Sequence, residues 1–165
     1  MTGHVYQASV SWRREGDFAA NAYTRAHTWS FDGGIAVPAS ASPSVVPLPQ
    51  SVEAAVDPEE AFVAAISSCH MLWFLDLARR DGLVVEAYDD AAQAVMERVA
   101  RGRMAITRVT LRPGIVLAGD ALPDAARLDA LHHRAHELCF IANSVTSEIA
   151  IAPRPARLSG DAQGA

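Results

Sequence analysis

Lysine is missing altogether from this 165-residue chain; all 14 basic residues are arginine. That excludes a Schiff-base lysine and a Walker-type phosphate loop, both of which need the ε-amine. No Gly-x-Gly-x-x-Gly run occurs, so a dinucleotide-binding turn has no support. Positive charge is in the minority: 19 acidic residues give a net charge of -5, which argues against a nucleic-acid surface. Cysteine is scarce too, with two residues, too few for a disulfide-stapled scaffold. The longest apolar run, residues 61–75, is broken by Ser67, Ser68 and His70 and is followed by Asp76. It reads as too short and too polar for a bilayer span of about 20 residues. The opening Met1-Thr2-Gly3-His4-Val5 has no charged-then-apolar leader. A cytoplasmic protein is expected, in contact with neither membrane nor nucleic acid, where thiols stay reduced unless they are catalytic or redox-sensing.

Half of the residues are apolar, enough for one sizeable core, so a single domain over residues 1–165 is expected, with its body at about 5–152. Residues 5–12 alternate in a strand pattern, and residues 13–17 read as a turn. Asp32-Gly33-Gly34 between residues 28–31 and 35–39 marks a hairpin. Residues 38–58 carry Pro43, Pro47 and Pro49 and read as a long ordered loop. Next comes the best-marked element, a helix over Pro58–Arg80. Asp57 is its N-cap, Pro58 its first residue and Glu60 the far side of a capping box. Arg79, Arg80 and Gly82 mark its end. The middle of this helix is apolar nearly all round, so it needs covering on most sides, which points to a second subunit. Residues 83–99 are Ala-rich and fit either a helix or a long strand. Residues 107–117 read as one strand and 147–152 as a short one. Residues 123–138 read as an amphipathic helix with Leu128, Leu131, Ala135 and Leu138 on its stripe, and 160–165 as a frayed tail.

Both cysteines sit where thiol chemistry is plausible. Cys69 lies inside the apolar helix, and Cys139 closes the later helix and opens a loop. A thiolate needs a nearby cation or a helix end. On residue types alone the pair could be a redox couple, a metal site or two buried hydrophobes.

Two motifs bear on the choice. Pro58-Glu59-Glu60 precedes Cys69, and Ala135-His136-Glu137-Leu138-Cys139 is followed by Asn143-Ser144. With these motifs the chain resembles the osmotically inducible protein C and organic hydroperoxide resistance family, over most of its length. The resemblance implies an α+β fold in which curved antiparallel sheets wrap around long central helices in an intertwined homodimer. It implies a thiol peroxidase that reduces organic hydroperoxides, needs no cofactor and is reset by a dithiol of the lipoyl type. Cys69 matches the attacking cysteine and Cys139 the resolving one. Arg25 is the choice for the family's active-site arginine, with the exposed-turn Arg13 and Arg14 as rivals, and Glu59 would hold that arginine in place. A helix rises 1.5 Å per residue, so Glu59 and Cys69 of one straight helix lie about 15 Å apart. Glu59 could meet the Cys69 of an antiparallel twin.

Two further readings belong beside this one. His133, His136 and Cys139 are spaced by three, which allows a zinc site with Cys69 as fourth ligand. A non-enzymatic protein of the same fold could instead hold a small hydrophobic ligand in an apolar pocket. Ser67 and Ser68 lack the glycines of a nucleophile elbow and read as helix-packing serines.

Overall fold

The structure is a computed structural model that describes residues 3–161, so most of the expected tail over 160–165 lies outside the described residues. The chain folds into two compact units, one up to Phe62 and one from Val63.

In the first unit, β1 (Ala8–Ser11), β4 (His27–Phe31) and β5 (Ala36–Ala39) form an antiparallel sheet in the order β1-β4-β5. The expected hairpin is there: Gly34 takes φ +84° in the turn between β4 and β5, a region that favours glycine. The expected turn over 13–17 is instead the start of a second hairpin, in which β2 (Gly16–Asp17) pairs with β3 (Ala22–Tyr23). Gly16 (φ +94°) packs so close to the Ala22 carbonyl that a Cβ would strike it. Residues 40–57 form an ordered loop. Ser40 N–H donates to Val56 O (3.1 Å) and Val52 N–H to Ser40 Oγ (3.0 Å), with Ser40 and Ser51 buried.

Helix α1 (Pro58–Arg80) has the bounds its signals predict. Asp57 Oδ1 accepts from Glu60 N–H (2.7 Å), and Glu60 Oε2 accepts from Asp57 N–H (3.1 Å), a reciprocal capping box. At the far end Gly82 turns left-handed (φ +78°). Leu83 N–H reaches Ala78 O (2.9 Å) and Gly82 N–H reaches Arg79 O (3.2 Å), the paired bonds of a Schellman stop. By length and composition alone α1 is long and apolar enough to cross a membrane, a test that the core helix of a soluble protein also passes. Its interior polar groups bond within the protein instead: Ser67 Oγ–H donates to Asp90 Oδ2 (2.6 Å), beyond the packing role expected of it.

The second unit holds two more sheets. β6 (Val85–Asp90), β9 (Pro113–Leu117) and β11 (Arg157–Leu158) run in the order β11-β9-β6; β7 (Gln93–Ala100), β8 (Arg103–Leu111) and β10 (Glu148–Ile151) run in the order β10-β8-β7. The ambiguous stretch 83–99 is therefore two strands. The β10–β8 and β11–β9 pairs are parallel and the β6–β9 and β7–β8 pairs antiparallel, so these two sheets are mixed. Residues 107–117 do not form one strand either. Arg112 N–H leaves the ladder to bond Asp90 Oδ1 (2.6 Å), and Pro113 has no N–H to give, so β8 and β9 part company there. Helix α2 (Ala125–Leu138) starts at Asp124, whose Oδ1 accepts from Arg127 N–H (2.7 Å). Phe74, Leu77 and Ala78 of α1, Ile115 and Leu117 of β9, and Leu131 and Ala135 of α2 form the core. Leu138 of the expected stripe is exposed, and His132 is buried instead. The fold is α+β, with two α-helices among several sheets.

Candidate active site

Cys69 is half-buried on α1, and Cys139 is fully buried at the residue that ends α2. The helix stops because Cys139 leaves helical geometry (φ -65°, ψ 110°) while its N–H still reaches His136 O (3.2 Å). The chain then turns back through a 3-10 turn at Ala142–Ser144, held by Asn143 N–H on Cys139 O (3.0 Å). This turn aims Ala142 N–H at Cys139 Sγ (3.4 Å).

Both cysteines are free thiols, and Cys69 lies near enough to raise the Cys139 thiol. Burial, and then the bond with Cys69, push the Cys139 thiol up to about 11, against a smaller downward pull from Ala142 N–H. Cys139 is thus held as a neutral S–H that can donate to Cys69.

The first unit holds the other two predicted site residues. Arg25 is half-buried, its guanidinium 3.5 Å from the Tyr23 ring centroid. It donates to Tyr23 O (2.6 Å) and Asn21 Oδ1 (2.6 Å). Glu59, half-buried in the first turn of α1, is not among its hydrogen-bond partners. Glu60 is committed to the capping box. Arg13 and Arg14 are exposed.

Sequence reasoning missed what surrounds Arg25. Trp12, Phe18 and Tyr23 form a ring cluster with centroids 4.5–6.1 Å apart, beside a cavity of about 400 Å³ that Arg25, His27 and Pro58 also line. Trp29 Nε1–H donates to His27 Nε2 (2.9 Å), so His27 carries its proton on Nδ1, facing Arg25 O (2.8 Å). A usable signal was three aromatic residues spread over the short β2–β3 hairpin region.

The histidines arrange themselves differently from the zinc reading. His133 turns out to Glu137 (3.2 Å). His70 and His132 are buried and bonded to each other, Nε2 to Nδ1, at 3.1 Å. Among the described residues no three His, Cys, Asp or Glu side chains converge as metal ligands would.

The family model for OsmC-like protein matches residues 51–154. No curated protein matches the chain. An OsmC-like protein of unknown function from Vibrio cholerae is 49% identical, covers 92% of this chain and 100% of its own, and superposes with a TM-score of 0.89. Two more distant structures share the fold. One is an organic hydroperoxide resistance protein OsmC from Legionella pneumophila (16% identity, 95% and 99% covered, TM-score 0.63). The other is an organic hydroperoxide resistance protein from Elizabethkingia anophelis (13% identity, 96% and 99% covered, TM-score 0.60).

Proposed function

The chain belongs to the OsmC-like protein family, and on that footing we propose that it is a cysteine peroxidase that reduces organic hydroperoxides to alcohols. The observation that carries this reading is the nearness of two free thiols, Cys69 and a Cys139 kept protonated chiefly by burial. The Cys69 thiolate attacks one peroxide oxygen. The O–O bond breaks, the sulfur keeps one oxygen as a sulfenic acid, and the alkoxide takes a proton and leaves as the alcohol. Cys139 then attacks the oxidised sulfur; a disulfide forms and water leaves. An external dithiol, of the lipoyl type by family resemblance, returns both thiols and is itself oxidised. A reducing compartment such as the cytoplasm suits this cycle.

One equivalent of an organic hydroperoxide is expected to remove both titratable thiols and lower the protein mass by two hydrogens. If both cysteines still alkylate fully after peroxide, the redox-pair reading fails.

Arg25 is proposed as the cation that favours the Cys69 thiolate and orients the peroxide, with Glu59 fixing its position. Arg25→Ala should then shift the pH profile of Cys69 alkylation upward and slow alkylation near neutrality. An unchanged profile would reassign the cation.

The working form is proposed to be a homodimer. All eight residues of β7 are exposed in the single chain, and so are Leu72 (62%) and Phe140 (66%). Covering these surfaces removes apolar area from water at roughly 25 cal/mol per Å². The melting temperature should therefore rise with protein concentration. A folded, fully active monomer in sedimentation at micromolar concentration would refute the dimer.

A second reading, a non-enzymatic ligand-binding protein, is favoured by the aromatic cavity at Arg25, lined entirely by the first unit. Under that reading both thiols survive peroxide treatment.

A further inference from the structure

The turn that carries Cys139 is fixed in shape by bonds internal to it and to the end of α2. Cys139 N–H reaches His136 O (3.2 Å), and Asn143 N–H reaches Cys139 O (3.0 Å). Asn143 Nδ2–H donates to Glu137 O (2.8 Å) and Ser144 Oγ–H to Phe140 O (2.7 Å). These bonds do not fix where the turn stands against α1. Helix α2 docks on α1 further back. His132 bonds His70 (3.1 Å) and stacks on Phe74, with ring centroids 4.4 Å apart. It stands two turns before Cys139, roughly 10 Å along a helix. Ala135, the last residue of α2 in the core, is still one turn short of Cys139.

Phe140 supplies a contact at the turn itself. Its ring meets Trp73 of α1 edge to face, with centroids 5.4 Å apart and planes at 82°. Ring quadrupoles favour that arrangement. Trp73 is itself held, half-buried and packed against the core. It also stands one turn after Cys69, so the two share a face of α1. The two contacts therefore run side by side. Cys69 lies near enough to raise the Cys139 thiol, and Trp73 bears the ring that follows Cys139 in the chain. Phe140 stays 66% exposed, so its contribution to the core is small.

We propose that Phe140 is a positioning residue for closure of the Cys69–Cys139 disulfide, which under the peroxidase reading, on which this role rests, is the resolving step. In that step the Cys139 sulfur displaces the sulfenic oxygen of Cys69. The S–S bond forms, the S–O bond breaks, and the oxygen leaves as water with the thiol and sulfenic protons. A disulfide is about 2.05 Å long, so neighbouring sulfurs must still close up in line. How often they do so depends on how firmly the turn is placed. The competing event is attack by a second peroxide, which takes the sulfenic acid on to the sulfinic acid. Phe140, resting on Trp73, tips that competition toward the disulfide and has no part in the first attack.

The test follows the two steps separately in the native chain and in Phe140→Ala, Phe140→Tyr and Trp73→Leu. Stopped-flow with one equivalent of cumene hydroperoxide reads the attack. Intact mass of quenched samples reads the sulfenic acid, one oxygen heavier, as it becomes the disulfide, two hydrogens lighter. Phe140→Ala should slow closure about tenfold, the upper end of what one aromatic pair contributes, and leave the attack within about twofold. Excess peroxide should then yield more sulfinic acid. Phe140→Tyr keeps the ring and should restore closure. Trp73→Leu should reproduce the defect with Phe140 still in place, which traces it to the ring contact rather than to any subunit that covers Phe140. Combining Trp73→Leu with Phe140→Ala should add little, since both remove one contact. A second measurement needs no peroxide. In glutathione buffers two glutathione thiols reduce the Cys69–Cys139 disulfide and are themselves joined. Phe140→Ala should make that disulfide about tenfold easier to reduce. Unchanged closure in Phe140→Ala, equal slowing of both steps, or fully additive defects in the double variant would overturn the proposal. If the native chain consumes no peroxide, the peroxidase reading fails, and the glutathione equilibrium alone decides the role of Phe140. A native pair that does not close there, or one that Phe140→Ala leaves unmoved, would overturn it.

Discussion

Serine in place of Cys69 is expected to abolish hydroperoxide consumption, whereas serine in place of Cys139 is expected to leave the first turnover and block the second. The attacking atom must be a thiolate, and a hydroxyl at the same place is a far weaker nucleophile at neutral pH. Cys69→Ser should therefore cost on the order of 10³-fold or more in rate. Cys139 has a separate task. Burial, with Cys69 nearby, raises its thiol to about 11, and in the proposed cycle it is the donor before the attack and the partner of the sulfenic acid after it. A serine hydroxyl keeps the donor and loses the sulfur. Cys139→Ser should consume one equivalent of peroxide at close to the native rate and then stop, carrying one added oxygen on Cys69. Excess peroxide should drive that species on to the sulfinic acid. Cys139→Ala removes the donor too and should also slow the first turnover. Stopped-flow consumption with intact mass after each equivalent separates these outcomes. Complete loss of the first turnover in both serine variants would contradict the assignment of attacker and resolver.

The parts of this protein that could be read from the chain are those whose causes are local. Helix α1 is bounded by Asp57, Pro58 and Glu60 at one end and Arg79, Arg80 and Gly82 at the other. Each bond that fixes those ends spans five residues or fewer. The β4–β5 hairpin follows from Asp32-Gly33-Gly34 for the same reason. Where the cause is distant, the reading stopped short. Alanine favours helix by propensity, yet residues 85–90 and 93–100 are strands because β9 and β8 lie beside them. Residues 107–117 split at Arg112 because its N–H bonds Asp90, 22 residues earlier. His132 takes the buried place expected of Leu138 on α2 because its partner stands 62 residues away on α1. At the site, the motifs marked Cys69 and Cys139, and in the structure Cys69 lies near enough to raise the Cys139 thiol. The aromatic cluster beside Arg25 depends on how the β2–β3 hairpin folds, which no spacing rule foretells.

Lowering the pH from about 7.5 to about 4.5 should destabilise the protein strongly, and the His70–His132 pair should account for most of the loss. Both rings are pushed from 6.5 down to about 4, chiefly by burial. For His70 the charges of His132 and His136 act in the same direction, and Asp90 opposes them weakly. An imidazole with a depressed folded-state value is neutral in the native protein and takes up a proton more readily when unfolded. The unfolded chain therefore binds more protons between about 6.5 and 4, and stability falls as pH falls through that window. Above 6.5 the contribution is fully present; below 4 no more is lost. Each unit of depression is worth about 1.4 kcal/mol, so the two rings together cost at most on the order of 7 kcal/mol across the window. That is comparable with the whole stability of many domains. The measurement is the urea midpoint as a function of pH for the native chain and for the double variant His70→Phe, His132→Phe, with a fixed protein concentration throughout. Phenylalanine suits the site because His132 already stacks on Phe74, with ring centroids 4.4 Å apart. The native midpoint should drop steeply between pH 6.5 and 4, and the variant should be flatter by up to two protons in that window. An identical slope in both proteins would mean that the acid sensitivity lies elsewhere and that the dyad is not held neutral by the fold.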